Sequence, residues 1–528
     1  MKDENPRKCP PAPPVDHDVV IIGAGLSGIG MACHLQTGAA KTRFVILEAR
    51  SRLGGTWDLF RYPGVRSDSD MLTYGYAFRP WHDPEILADG ERIRTYIADT
   101  AREHGIDRHI RFGKRVTRAA WSSETQCWTL AVTDQKDGAE HRITCRFVIF
   151  GTGYYDFAAG YRPEFSNEAR FGGIFVHPQN WPEGLDFAEK RVVVIGSGAT
   201  AVTLVPALAR TAGHVTMLQR SPGYVFSVPA RDRLAGALAR VLPARLVFGL
   251  ARARNMLMQR AVYAASRRWP QRLRGFLLKQ VKRQLGPGAD MRHFTPAYNP
   301  WDERLSAVPD GDLFRAIRSG KASVVTDHIA AFNETGITLQ SGARVEADIV
   351  VTATGLSLQV LGGIRVTVDG QPHDLGHRVT YKGVMVDGLP NAGIIIGYTN
   401  ASWTLRADLS AGYLLRLMGH MRQKGYAVAT PRAPGGVRGE DNIMAVLQAG
   451  YIHRGDALLP RQGLRPPWRI TNDFRADRAA LLKDPIDDGA LVFEQARRRA
   501  ASGLAARPDG QGSASASAPS ACSEPRSG

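Results

Sequence analysis

Residues 18–28 read DVVIIGAGLSG, and this stretch decides the fold. Asp18–Ile22 is an apolar, β-branched run, the composition of a strand buried on both faces. Gly23, Gly25 and Gly28 follow at G-x-G-x-x-G spacing, and Leu26–Gln36 continues in a helical pattern. Strand, glycine turn and helix in that order open a dinucleotide-binding unit. The glycines permit a tight turn and a close approach of backbone to a pyrophosphate, which rests on the helix N-terminus. The next strand, Phe44–Leu47, ends at Glu48, twenty residues past Gly28. A carboxylate there binds both hydroxyls of a ribose and repels a 2′-phosphate. FAD or NAD fits this site; NADP does not.

The arrangement returns downstream. Arg191–Ile195 leads into Gly196-Ser-Gly198-Ala199-Thr200-Ala201, with a helix expected over about 199–210 and a strand at Val215–Leu218. Where the first unit carries Glu48, the second reads Gln219-Arg220-Ser221. A guanidinium pairs with a 2′-phosphate by charge-assisted hydrogen bonds, so this site is expected to take NADPH. A merely solvated charge at Arg220 is the alternative. Two sites of opposite charge logic describe a flavoprotein that holds FAD and is reduced by NADPH. The turns Gly151-Thr-Gly153 and Thr352-Ala-Thr-Gly355 follow strands Phe147–Phe150 and Asp348–Val351. Small residues there let the chain pass close to a cofactor or between units.

Composition narrows the class. The chain has 528 residues, 44% hydrophobic and 22% charged, as in a soluble globular protein of several domains. The cysteines stand at 9, 33, 127, 145 and 522, with no C-x-x-C pair. A dithiol redox centre, as in the disulfide reductases, is therefore not expected, nor is a zinc or other metal site. The odd count and scattered positions suit a reducing cytoplasm. The opening MKDENPRKCPPAPP carries acids and prolines without an apolar core, unlike a signal peptide. The most apolar stretch, Val19–Leu35, is broken by glycines and polar residues, and no membrane span is expected.

Where the electrons go is read from a longer pattern. Phe171, Gly173, His177, Trp181 and Pro182 stand in the order FxGxxxHxxxWP. This segment resembles the fingerprint of the class B flavoprotein monooxygenases, in its Baeyer–Villiger form. Gly54-Gly55-Thr56-Trp57, Tyr62-Pro63-Gly64 and Asp68 match a second pattern of that family, and the likeness runs over about residues 16–490. Three further stretches are similar to the ethionamide-activating and acetophenone-type branch: HFTPAYNPWDERLSAVPDGDLF from His293, GYTNASWTLRADLS from Gly397 and YIHRGDALLPRQG from Tyr451.

The resemblance implies an NADPH-dependent enzyme that reacts reduced FAD with O2 to a flavin peroxide and inserts one oxygen atom beside a ketone carbonyl. The product would be an ester or lactone. It places the family's arginine over the flavin at Arg304 and the active-site aspartate at Asp68, which would orient Arg304 by a salt bridge. An ordinary ion pair of Arg304 with Asp302 or Glu303, and a turn-capping role for Asp68, are the bland alternatives. Flavin contacts fall on Thr56, Trp57, Asp68 and Tyr74, with Tyr62 packing alongside. The second nucleotide site falls on Gly196, Gly198, Ala199, Thr200, Arg220 and Ser221. His177 and Trp181 are expected to set the orientation of the two nucleotide units rather than to catalyse. Oxygenation of sulfides, thioamides or amines by the same fold, and a flavoprotein that only reduces O2, are the rival readings.

The fold class is thus α/β, with two Rossmann-like dinucleotide-binding domains and an inserted helical lobe. A flexible arm is expected over residues 1–15, an FAD-binding domain over 16–155 and 386–495, and an NADPH-binding domain over 156–228 and 295–385. The insertion is expected over 229–294, as a lid on the substrate, and a disordered tail over 500–528. The net charge is +18. Fourteen Lys or Arg against two acids lie between Arg231 and Asp290, so the lobe carries most of it. Arg245, Arg252, Arg260, Arg267 and Arg274 recur about every two helical turns, opposite Leu246, Leu250, Leu257 and Ala261. Such a stripe reads either as the solvated face of the lid or as peripheral attachment to the inner, anionic face of a membrane. No nucleic-acid recognition module is found.

Overall fold

The computed structural model describes residues 14–303 and 305–497. Two sheets organise the chain, one mixed with a parallel centre and one wholly parallel. In the nine-stranded first sheet, His17–Ile22 lies between Glu140–Phe150 and Phe44–Leu47, parallel to both. Ile22 pairs with Leu47 on one side and Phe150 on the other, so the three strands end level. A crevice at the carboxyl ends of parallel strands is where α/β folds take ligands. The second sheet has five strands in the order Ala322–Thr326, His214–Gln219, Arg191–Ile195, Ile349–Thr352, Ile174–Val176. All its pairings are parallel, and Ile195 ends level with Leu218 and Thr352.

In the central strands of both sheets the Val/Ile runs Val19–Ile22 and Val192–Ile195 are buried, as required when helices cover both faces. Helix Leu26–Gly38 is buried over most of its first ten residues, with helix Trp403–Lys424 packed beside it. Trp403 Nε1 donates to Ser27 Oγ at 2.9 Å, tying the late helix to the first glycine turn.

The expected domain boundary at residue 386 is corrected. Arg365–Val368 pairs in parallel with Lys114–Ser122 of the first sheet. Leu361 and Ile364 lie in that sheet's core, and Tyr381 and Met385 pack beside helix Leu26–Gly38. The chain is therefore back in the first unit by Leu361. Strand propensity in RVTV says that a strand forms; only side-chain packing chooses its partner.

The insertion forms helices Arg233–Leu238, Ala244–Arg268 and Pro270–Leu285. Pro243 directly precedes the second and Pro270 opens the third, positions where a missing N–H costs nothing. The arginine stripe divides: Arg252 and Arg274 turn inward, whereas Arg245, Arg260 and Arg267 stay exposed. Arg252 donates to the carbonyls of Leu72 and Gly75, both at 2.8 Å. Arg260 pairs with Asp473, Arg267 with Asp302, and Arg274 donates to the Tyr224 hydroxyl. Only Arg245 of the five is exposed without such a bond. Leu246, Leu250 and Leu257, expected on the inner side, are exposed as well. A guanidinium can turn inward when carbonyls and carboxylates await it, and the linear pattern does not reveal them. The expected arm, up to residue 13, and the tail from 500 lie outside the described residues.

Candidate functional site

The first glycine turn is built as its spacing predicts. Gly23 has φ +101°, a conformation that favours glycine. A Cβ on it would sit 2.7 Å from the Gly151 carbonyl oxygen, and one on Gly28 only 1.9 Å from that of Gly23. Gly25 lies against Gly55, whose Cβ would be 3.0 Å from the Gly25 Cα. Gly28 therefore serves packing, whereas Gly23 and Gly25 border a cavity of about 510 Å³.

Glu48 is buried at the edge of that cavity. Its carboxylate accepts from the amides of Ala24, at 2.7 Å, and Arg50, at 2.9 Å. Burial pushes the Glu48 carboxyl up, and these two amides pull it back. Each oxygen keeps a second lone pair, so the residue can still accept from ribose hydroxyls. Behind it, buried Asp58 is gripped by Arg50 and Arg61 at 2.7 and 2.8 Å. This cluster is absent from the sequence-based expectations, since none of the three residues belongs to a motif, although Arg61 and Asp58 are neighbours at i,i+3.

Thr56, Trp57, Asp68 and Tyr74 all line the same cavity. Trp57 Nε1 donates to the Tyr74 hydroxyl at 2.8 Å, which fixes both rings. In the SDSD turn the capping role belongs to Asp70, which accepts from the Thr73 amide at 3.0 Å. Asp68 is exposed toward the cavity. Asn255 and Gln259 of the helical lobe donate to Asp70 at 3.0 and 2.9 Å. With Arg252 they clamp the segment that carries Asp68 and Tyr74. A sequence 180 residues away gives no signal of that clamp.

The cavity reaches the second unit. Ala199, Val202 and Thr203, from helix Ala199–Leu208, form part of its wall. Tyr62 lies buried between the units, touches the Thr200 side chain, and has its hydroxyl pushed up to about 12 by burial. Gly64, at φ +77°, packs on that helix, where a Cβ would meet Ala207 Cβ at 2.6 Å. The Tyr62-Pro63-Gly64 motif thus has a packing reason. Arg66 and Asp312 add an ion pair at 2.8 Å.

At the second turn, Gly196 has φ +137° and abuts the Ala353 carbonyl, where a Cβ would come within 2.4 Å. Both glycine turns thus rest on the small-residue turns of a neighbouring strand. Gly198 and Ala199 face solvent, and nothing lies within 4 Å of a Gly198 Cβ. Ser197 Oγ donates to the Ser221 carbonyl at 2.9 Å, so the loop carrying Arg220 lies beside the turn. Arg220 is exposed at the strand end. An open helix N-terminus with a guanidinium beside it fits a phosphorylated nucleotide. The first site, closed by a carboxylate, fits one without a 2′-phosphate.

The fingerprint residues stand apart from the cavity. Ile174–Val176 is the edge strand of the second sheet, and Phe171 packs on Phe175 and Phe332. Gly173 has no room for a side chain, since a Cβ would be 2.4 Å from the Asp348 carbonyl oxygen. His177 Nδ1 accepts from the Gln179 amide at 3.2 Å. Its ring lies against Gly160, whose Cβ would fall 2.0 Å from Cε1. Burial holds the imidazole below its usual range. Gln179 donates to the Asp156 carbonyl at 2.8 Å, and Trp181 packs near Phe187 in the second core. These contacts join the second sheet to the 151–161 segment leaving the first. Arg304 lies outside the described residues; beside it, Asp302 is engaged by Arg267 at 3.1 Å.

A family model described as flavin-binding monooxygenase-like matches residues 16–361. The chain is 55% identical over 483 residues to the FAD-containing monooxygenase MymA of Mycobacterium tuberculosis, covering 91% of this chain and 98% of that protein. It is 49% identical over 478 residues to the FAD-containing monooxygenase EthA of the same organism, covering 90% and 97%. For the FAD-binding monooxygenase AlmA of Acinetobacter baylyi the figures are 48% over 479 residues, 90% and 96%. Among solved structures, an oxidized steroid monooxygenase bound to NADP superposes with a TM-score of 0.72 at 22% identity, covering 91% of this chain and 99% of that one. A cyclohexanone monooxygenase with bound ε-caprolactone gives 0.70 at 20%, covering 90% and 99%. Those two structures share the fold of this chain.

Proposed function

The chain belongs to the flavin-binding monooxygenase-like family, and from that premise we propose that it is an FAD- and NADPH-dependent Baeyer–Villiger monooxygenase acting on a small ketone. The observation that carries this reading is the cavity that joins the two units, with Glu48 at one end, helix Ala199–Leu208 at the other and Asp68 on its wall.

Bound FAD, once reduced by NADPH, supplies the centre that activates O2. The protein does the rest. The Gly23–Gly28 turn offers backbone amides and a helix N-terminus to the FAD pyrophosphate, and Glu48 accepts from the ribose hydroxyls. Gly196, Gly198, Ala199 and Thr200 present the second helix N-terminus to NADPH, and Arg220 with Ser221 takes the 2′-phosphate. Arg304 places a guanidinium where negative charge develops on the substrate carbonyl oxygen, in a site that excludes water. Asp68 orients that guanidinium. His177 and Trp181 set the relation of the two units, so their loss uncouples NADPH oxidation from oxygen insertion. The enzyme works in the cytoplasm, with peripheral contact to an anionic membrane through the helical lobe.

The test is NADPH oxidation by flavin-loaded protein against ketones and sulfides in labelled O2. Label in an ester or lactone supports the reading. Label only in sulfoxides moves the enzyme to heteroatom oxygenation, and hydrogen peroxide alone across the panel overturns oxygenation altogether. Arg304→Ala is expected to leave flavin reduction intact and to lower ester formation by ~100-fold or more; unchanged ester formation removes its role.

A further inference from the structure

The helical lobe turns Arg252 and Arg274 inward and its leucines outward, and among the described residues that outer face is left uncovered. Of the fifteen large hydrophobic side chains exposed among the described residues, eight lie between Leu234 and Phe276. Leu246, Leu250, Ala253, Leu257, Ala261 and Ala264 are all exposed at steps of three and four, so they form one face of helix Ala244–Arg268. The seam is ~27 Å long at the rise of an α-helix. Leu250 and Leu257 are 50% and 60% exposed, while Val247, Phe248 and Ala251 on the opposite side are buried. Trp269, at the corner between the two long helices, is 53% exposed.

We propose that this outer face of the insertion docks on the surface of an anionic lipid bilayer. The proposal rests on the peripheral contact stated above and is independent of the reaction. Charge selects the occupant. Exposed Arg240, Arg245, Arg268, Arg272 and Lys279 lie in the same lobe as the seam. The lobe's acids are already taken, Asp232 by Arg254 and Asp290 by Arg292. A second copy of the same face would set cation against cation across the contact. Anionic headgroups supply the opposite charge, and the acyl region just beneath them takes the leucines and the tryptophan ring. Among the described residues no helix is long and apolar enough to cross a membrane, so the lobe lies on the surface.

Flotation of full-length, flavin-loaded protein with phosphatidylglycerol–phosphatidylcholine vesicles at low salt tests this, with pure phosphatidylcholine vesicles as control. Binding to the anionic vesicles alone is expected, and the Leu250→Glu/Leu257→Glu double variant should partition at least ~10-fold less. Unchanged flavin content and NADPH oxidation by the double variant establish that it is folded. No flotation of the wild-type protein overturns the membrane contact. Flotation that the double variant retains assigns the contact to another surface and overturns this face. Sedimentation velocity covers the remaining occupant: a wild-type dimer that the double variant dissolves makes the partner a second copy and ends the proposal.

Discussion

The two glycine turns are the same device closed in two ways. Both follow a buried parallel strand, both begin with a positive-φ glycine, and both rest on a small-residue turn from a neighbouring strand. The first is the more enclosed, with Gly23 and Gly25 half-buried at the cavity. Glu48 is buried and wired to two amides, and Trp403 reaches across to Ser27. The second is open, with Gly198, Ala199 and Arg220 at the surface. An enclosed site suits a cofactor that stays bound, and an open one suits a cofactor that must arrive and leave each turnover. The degree of enclosure, more than the glycine spacing, therefore distinguishes the two turns.

Substitutions can break this comparison. The largest effect is expected at Gly28. Its Cβ would lie 1.9 Å from a backbone oxygen, so Gly28→Ala should cost ~3 kcal/mol or more and leave protein without flavin. Gly198→Ala, in open space at an ordinary φ, should stay within ~1 kcal/mol of the parent. Thermal unfolding and flavin absorbance measure both, and equal losses would erase the contrast. Next comes Glu48→Ala, which removes a buried acceptor from two amides. It should weaken flavin retention by ~10- to 100-fold in dialysis while hardly moving the KM for NADPH in reconstituted enzyme. Arg220→Ala should do the reverse: the KM for NADPH rises ~10-fold or more, that for NADH is little changed, and flavin content holds.

The smallest expected effect is on pH dependence. Burial lowers His373, packed with the first unit, to about 4, and also holds His177 below its usual range. Both are neutral in the folded protein, whereas the unfolded chain binds protons from about pH 6.5 downward. Their stabilising contribution is complete above that pH and is lost as pH falls toward the folded values. Denaturant midpoints should therefore drop between pH 7 and 5, with His373→Gln flattening the slope by ~1–2 kcal/mol. A slope that the substitution leaves untouched would place the proton uptake elsewhere.

Much of this was legible in the linear chain because it depends on neighbours in sequence. Strands Phe44–Leu47 and Arg191–Ile195 fall where the apolar runs predict them. The strand–turn–helix order also fixed which residues would stand at each strand end. The capping of the Asp68 turn was harder: SDSD offers two acids, and Asp70 takes the cap because the lobe's amide groups hold it from behind. The fingerprint could be recognised, but the contact of His177 with Gly160 required the fold.

By itself, then, the sequence determined the two α/β units, the helical insertion and the opposite charge of Glu48 and Arg220 at corresponding strand ends. Each follows from periodicity, glycine spacing and one residue at a strand end. Tertiary structure alone decided three things. It returned Arg365–Val368 to the first sheet, enclosed one glycine turn more than the other, and turned Arg252 inward while leaving the lobe's leucines outward. The physical reason is common to all three. A strand or an amphipathic helix can satisfy either of its sides, and which side is buried depends on partners far away in sequence. Arg252 found the carbonyls of Leu72 and Gly75, in and just after the Asp68–Tyr74 segment, and that choice left Leu250 and Leu257 facing out.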